Sequence, residues 1–428
     1  MRVLLVSQSD LGGGAAIAAY RLHAGLRRVG ADSTMLVAQK LSDDPTVLCR
    51  KSTMRSVLWR TRLKAAEKIT HFQKPVNYNL HSINLFCDDI VKRINEHPAD
   101  LVHLHWVGHE MLSVAALKRI RKPIVWTLHD MWAFSGAEHY ATNGERRYID
   151  GYTSGNRHPM DRGLDIDRWV WKRKIKQWQG IEFTIISPSA WLAAEARKSR
   201  LFRQSRVEVI PNGINTSRIK PVAKEFARDV LSLPQDKELV LFGAMDATSD
   251  SRKGFQYLKA CIQRLAEQGQ GGRIEMVVFG NSDSGHPIDI PLKTHYLGRL
   301  SGEQILSLLY SAVDLFVMTS VIDNLPNTVM EAMACGTPCV GFEVGGVPDM
   351  IEHLKTGFLV RPYDIDGLVS GILWLLESGE RKKALGVSAR KKAEAEYRDT
   401  VVAARHLNLY EEVLKQARPQ TYHPHCYA

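Results

Sequence analysis

Short apolar runs followed by amphipathic stretches alternate along the chain, the pattern of parallel β-α-β units. Val3–Ser7 reads as a first strand and Ala15–Val29 as the helix after it. Ser33–Ala38, Leu101–Leu104, Ile124–Leu128, Phe183–Ile186 and Val207–Ile210 read as further strands. Pro211-Asn212-Gly213 breaks the pattern, and the stretch to Pro221 reads as a linker. A second series starts at Leu239–Phe242 and continues through Ile274–Phe279, Leu315–Met318 and Pro338–Phe342. Helical patterns at Phe255–Glu267 and Asn327–Cys335 separate its strands. Thr400–Gln416 reads as a closing amphipathic helix, and the last ten residues as a frayed tail. The expected architecture is α/β, two doubly wound Rossmann-like domains with a cleft between them. Ligands in such sheets bind beyond the carboxyl ends of the strands, so chemistry is sought in the loops there.

Length and composition agree with this reading. At 428 residues, with 44% hydrophobic and 24% charged positions, the chain has the proportions of a two-domain globular protein. No apolar run reaches the roughly 18 residues a membrane-crossing helix needs. Arg2 is followed by only five uncharged residues up to Ser7, too short an apolar core for a secretory signal. Six irregularly spaced cysteines suggest a reducing compartment, and so a cytoplasmic location.

Charge changes the picture. Residues 1–215 carry 33 Lys and Arg against 20 Asp and Glu, which accounts for the whole net charge of +11. Two stretches concentrate it with tryptophan, Cys49 to Lys68 and Arg168 to Trp178. Cations with indoles suit an anionic membrane surface, here the inner face of the cytoplasmic membrane, or an anionic acceptor. The same pairing also grips a nucleic-acid backbone, and it also occurs on solvated helix faces with buried tryptophan.

Candidate chemistry follows the strands. Ser9-Asp10-Leu11-Gly12-Gly13-Gly14 joins the first strand to the first helix, where glycines and helix-start amides attract an anion. A dinucleotide fingerprint is absent, because Ile17 takes the third glycine position and the second strand runs into Gln39-Lys40. His129-Asp130 directly follows Ile124–Leu128, placing a histidine suited to bonding a sugar hydroxyl or moving a proton. His103, His105 and His109 cluster nearby, but only Glu110 stands ready to complete a metal set, so no metal is expected. Arg252-Lys253-Gly254 opens a helix as a phosphate clamp would. Asp323 lies in a strand-end loop and Glu331 one turn into the next helix, spaced to bind two diols of one extended ligand. Gly345-Gly346 supplies another close backbone approach.

In this order the motifs resemble the retaining GT-B glycosyltransferases of family 4: Gly12-Gly13-Gly14, His129, Lys253-Gly254, Asp323-x7-Glu331 and Gly336-Thr-Pro338. Trp126 to Gly136 resembles the exopolysaccharide and colanic-acid subgroup. The resemblance implies an acceptor-side domain over 1–215 and a nucleotide-sugar domain over 216–398. Residues 399–428 would then pack back on the first domain. It implies transfer from a nucleoside diphosphate sugar to a saccharide acceptor, lipid-linked in this subgroup, with retention and no divalent metal or other cofactor. Gly13 and Gly14 would face the pyrophosphate, His129 the donor sugar, Lys253 the leaving phosphate, and Glu331 the ribose. Asp323 would bind the sugar's outer hydroxyls, with Asn324 and Leu325 beside it. Two departures stand out. Asp323 replaces the family's usual Glu, and Ala244 its usual Arg, leaving Arg252 or Arg299 to supply that cation. No cysteine lies between Ala137 and Pro159, so the subgroup's zinc knot is not expected. A nucleotide-sugar epimerase and a non-catalytic binder are the alternatives; a nucleic-acid binder would leave the carboxylate loop unexplained.

Overall fold

The computed structural model describes residues 1–49, 53–75, 80–86, 89–141, 144–243, 250–280 and 290–417. Within them the chain divides into two compact units. One comprises Met1–Pro188, Ala193–Ile210 and the chain from Ala403; the other comprises Ser189–Leu192 and Pro211–Val402.

The first unit is built on a seven-stranded parallel sheet. Its order is Val47–Leu48, Asp32–Gln39, Arg2–Ser9, Leu101–Leu104, Ile124–Thr127, Phe183–Ser187, Arg206–Val209. Val3 to Val6 are fully buried, because helices cover both faces of a parallel sheet and leave no polar side for alternation. The second unit repeats the plan with six parallel strands. They run Thr294–Tyr296, Ile274–Phe279, Glu238–Gly243, Leu315–Met318, Cys339–Phe342, Gly357–Val360. In each sheet the first strand lies centrally between the second and fourth, the doubly wound order whose reversal point opens at the strands' carboxyl ends.

The expected strands and helices are present with boundaries moved by a residue or two; Phe255–Glu267 has the expected ends. Val47–Leu48, Thr294–Tyr296 and Gly357–Val360 add edge strands. Gln73–Lys74 and Arg162–Gly163 form a separate antiparallel ribbon. In the helix Asp399–Ala417, Tyr410 and Glu412 hold the first unit: the Tyr410 hydroxyl bonds His103, and Glu412 pairs with Arg206 at 2.6 Å. The frayed tail falls in residues outside those described. Among the described residues no helix is long and apolar enough to cross a membrane.

Candidate active site

In the second unit, three strand-end segments meet. A short turn, Ser251–Lys253, precedes the helix Phe255–Glu267. Gly254 links them at φ 65°, and a Cβ there would lie 1.9 Å from the Thr319 carbonyl, so only glycine fits. The turn is tied to the end of Leu315–Met318 by Val321 N–H to the Arg252 carbonyl at 2.8 Å. Thr319 Oγ1 adds a bond to the Lys253 carbonyl at 3.1 Å. These ties deliver the Lys253 ammonium to Asp323 Oδ2 at 2.8 Å, with the two side chains 30% and 15% exposed. Spacing along the chain gives no hint that cation and carboxylate pair directly, and any bound phosphate would share Lys253 with Asp323.

Arg252 is differently placed. Its guanidinium forks onto Asp250, Nε to Oδ1 at 3.1 Å and Nη2 to Oδ2 at 2.6 Å. A bidentate pair of this kind occupies the face that a phosphate would need. Arg299 is exposed and follows Gly298, which has φ 62°. Ala244 lies outside the described residues.

Glu331 sits in the helix Asn327–Ala334 and is 6% exposed. Its Oε2 accepts the Tyr310 hydroxyl at 3.1 Å, which orients the carboxylate. Asn324 and Leu325 are also buried, and Asn324 Oδ1 accepts the Ser189 hydroxyl at 2.6 Å. Gly345-Gly346 does make a close backbone approach. Cβ atoms there would meet the carbonyls of Asp323 and Asn324 at 2.0 and 1.8 Å. The close approach is therefore to the chain's own loop: the glycines buttress the turn that carries Asp323, with Gly346 N–H donating to its carbonyl at 3.0 Å.

In the first unit, Gly12-Gly13-Gly14 does form the strand-to-helix turn, and Gly13 has φ 105° with open space on the side where a Cβ would project. Its amide, however, donates to the Leu11 carbonyl at 3.1 Å, so a pyrophosphate would have to displace that bond. Asp10 is structural. Its carboxylate accepts the amides of Leu41 and Ser42 at 2.8 and 3.0 Å; burial acts to raise its pKa, but these bonds prevail and lower it.

His129 stands two residues past the end of Ile124–Thr127, with its Nε2 3.1 Å from Nδ1 of His105. Burial pulls its pKa down to about 4, against the opposing charge of Asp130. At neutral pH the ring is uncharged, which suits hydrogen bonding to a sugar hydroxyl rather than donating a full proton. Asp130 is paired with His139 at 2.6 Å and accepts Trp106 Nε1 at 2.8 Å. His103 shares a face with His105, as alternation requires, but Tyr410 and Thr127 take both its nitrogens. Among the described residues no His, Cys, Asp and Glu cluster is arranged to hold a metal.

The two basic stretches become the helices Thr53–Thr70 and Ile166–Gln177. One expected surface cation turns inward, and two of the tryptophans are buried, as on a solvated helix face. Trp171 and Trp178 are buried, and Lys174 is fully buried, its Nζ bonded to the carbonyls of Trp132, Ser135 and Gly136 above the Trp132 ring. Only Trp169 of that stretch's indoles is exposed, stacked on Arg173. Beside the end of the first of these helices and the ribbon lies a feature invisible in the sequence, a cavity of about 900 Å³. Leu63, Ile83, Met160 and Ile166 line it, with Lys74 and Arg162 from the ribbon. Phe72, Met160 and Leu164 stand more than half exposed beside it. His109 and Glu110 in its wall both have positive φ, 51° and 58°, strain of the kind that accompanies ligand clamps.

Comparison with known proteins bears on both units. Residues 12–218 match the family described as Glycosyltransferase Family 4, and residues 236–378 the one described as Glycosyl transferases group 1. The chain is 32% identical over 102 residues to N-acetyl-alpha-D-glucosaminyl L-malate synthase of Bacillus anthracis, 24% of this chain and 27% of that protein. Its fold is similar to sucrose-phosphate synthase of Thermosynechococcus elongatus, with TM-score 0.67 and 18% identity over 97% of this chain and 100% of that one. It is also similar to Anabaena HepE in complex with UDP-glucose, with TM-score 0.63 and 15% identity over 96% and 100%. The matches span about a quarter to just over half of the length of the first curated relatives. Each unit thus matches a glycosyltransferase family model over most of its length, and the fold is that of GT-B proteins.

Proposed function

We propose that the protein transfers a sugar from a nucleoside diphosphate sugar to a hydroxyl of a saccharide acceptor. The observation that carries this is the Lys253–Asp323 pair, held by backbone bonds at the carboxyl ends of the second sheet's strands. The ammonium meets the departing diphosphate, and the carboxylate beside it accepts sugar hydroxyls. Glu331, fixed by Tyr310, takes the ribose, and His129 contacts the donor sugar. In the reaction the bond from the anomeric carbon to the phosphate oxygen breaks, the electron pair leaving with the diphosphate. The acceptor oxygen bonds the same carbon and gives up its proton to the departing diphosphate. Retention of configuration and independence of divalent metal are part of the proposal and rest on the family resemblance, as does a role in extracellular polysaccharide assembly.

Because HepE was solved with UDP-glucose, UDP-sugars are the first probes, followed by GDP-, dTDP- and ADP-sugars. A ligand that binds only the native state raises apparent stability, so one donor is expected to raise Tm by several degrees. Turnover of that donor is expected to be unchanged by EDTA. Loss of activity with the chelator, restored by Mg²⁺ or Mn²⁺, would remove metal independence; no Tm shift with any donor would remove the reading itself. Release of an altered sugar without acceptor would favour an epimerase instead.

The cavity of the first unit is the proposed acceptor site. Leu63, Leu80, Ile83, Met160 and Ile166 offer apolar surface to the lipid carrier of a lipid-linked saccharide, and Lys74 and Arg162, set among Glu67 and Glu110, offer cations to its phosphate. The exposed Phe72 and Leu164 would then enter the headgroup layer. Vesicles with anionic lipid are expected to sediment the protein more than neutral ones, and Phe72→Asp with Leu164→Asp to weaken that binding several-fold. Equal sedimentation with both vesicle types rules the membrane contact out.

A further inference from the structure

We infer that His105 is a positioning residue: it fixes the hydrogen of His129 on Nδ1, so that His129 offers a donor rather than an acceptor from that atom. The consequence for catalysis rests on the reading that His129 contacts the donor sugar; the tautomer itself does not.

His105 is 2% exposed and rigidly held. Its amide donates to the Val6 carbonyl at 2.9 Å, and its carbonyl accepts Trp126 Nε1 at 3.0 Å. Its ring packs 4.2 Å from that of His103, which Tyr410 and Thr127 lock at both nitrogens. A single hydrogen bond of 3.1 Å joins His105 Nδ1 to His129 Nε2. Burial keeps both rings neutral at physiological pH, with the neighbouring histidines opposing any charge on His105.

Two neutral imidazoles sharing one bond have two arrangements. If His129 donates, His105 must accept at Nδ1 and carry its own hydrogen on Nε2. That Nε2 is buried and has no hydrogen-bond partner among the described residues, so the arrangement strands an N–H in the interior. If His105 donates from Nδ1, its Nε2 holds only a lone pair. A stranded acceptor is tolerated more readily than a stranded N–H, which is rare in folded proteins. The second arrangement therefore prevails. His129 then accepts at Nε2, and its own hydrogen sits on Nδ1. The isolated imidazole favours the opposite tautomer, so the protein imposes this one through His105.

The test is a long-range ¹H–¹⁵N spectrum of the full chain labelled with ¹⁵N-histidine at pH 8, with His129 assigned by His129→Gln. The wild type is expected to show His129 protonated at Nδ1 alone. His105→Asn places an amide nitrogen where Nδ1 stood and is expected to keep that pattern. His105→Asp offers only acceptors there and is expected to move hydrogen onto Nε2 of His129. A wild-type ring protonated at Nε2, or an Asp variant that keeps the Nδ1 pattern, overturns the inference; the wild-type spectrum decides even if a variant fails to fold. Turnover is expected to fall about tenfold in His105→Asp and to stay within about twofold in His105→Asn, the scale of one hydrogen bond. A tautomer that responds while turnover does not would uphold the lock and overturn the proposed contact of His129 with the sugar.

Discussion

Lys253→Ala is expected to lower turnover by roughly two to three orders of magnitude while leaving the fold intact. A preorganised donor aimed at a developing anion contributes about 2.7–4 kcal/mol where such groups have been removed, and each 1.36 kcal/mol is about tenfold in rate. The side chain's setting says the loss should fall on chemistry. Its backbone is held by Thr319 and its turn by Val321 and Asp250, none of which needs the Lys253 ammonium. The side chain is 30% exposed, so truncation opens no core cavity. Asp323 loses its partner but keeps contact with solvent, which limits the penalty of leaving it unpaired. The measurement is kcat at saturating donor for wild type, Lys253→Ala and Lys253→Arg, with the melting temperature beside each. Arginine is expected to recover part of the loss, since it restores charge in a wider fork. Full activity in Lys253→Ala discards the assigned role. A fall of several degrees in Tm alongside the loss would point to the loop's integrity instead.

Much of this arrangement is legible in the sequence, for physical reasons that also explain what is not. Strands such as Val3–Val6 and Leu239–Phe242 announce themselves because a sheet covered on both faces tolerates no polar position. Lys253-Gly254 and Asp323 stand out because strand-end loops have few ways to be useful, and the doubly wound order then puts them at one edge of one sheet. Two-residue strands such as Val47–Leu48 are too short to show a period. Gly345-Gly346 shows that a glycine signals close approach without saying to what; here the partner is the Asp323 turn. Lys174 reads as a surface cation because the sequence cannot show three converging carbonyls. The cavity draws on positions from Leu63 to Ile166, and no local pattern encodes a space enclosed by such distant segments.

Acid is expected to unfold the first unit before the second, in the window between pH 6.5 and about 4. Burial lowers the pKa of His23, His109 and His129 to about 4, and holds those of His103 and His105 well below the usual histidine value. All five belong to the first unit. For a histidine depressed in the folded state, the unfolded chain takes up a proton first, near pH 6.5. The neutral folded form is therefore fully stable above that value and loses stability as pH falls towards the folded pKa. Each such group contributes a slope of about 1.4 kcal/mol per pH unit across its window. Five together remove several kcal/mol by pH 5, a large share of the roughly 5–15 kcal/mol that holds a domain folded. Glu138 and Glu110 act in the other direction, since burial raises their pKa and acid relieves them, but they are two groups against these five. The carboxylates that hydrogen bonds depress, Asp10, Asp44 and Asp130 among them, begin to matter only below their unfolded value of 3.8. The second unit's described histidines, His295 and His353, are less enclosed, with His295 paired to Glu275 at 2.6 Å. Seven of the nine tryptophans belong to the first unit, so indole fluorescence reports it. Urea titrations at pH 7.5, 6 and 5 are expected to show the fluorescence midpoint dropping steeply while far-ultraviolet circular dichroism retains a later transition from the second unit. A fluorescence midpoint that holds steady from pH 7.5 to 5 would mean these histidines reach solvent as easily folded as unfolded, and the buried His103–His105–His129 arrangement would be wrong.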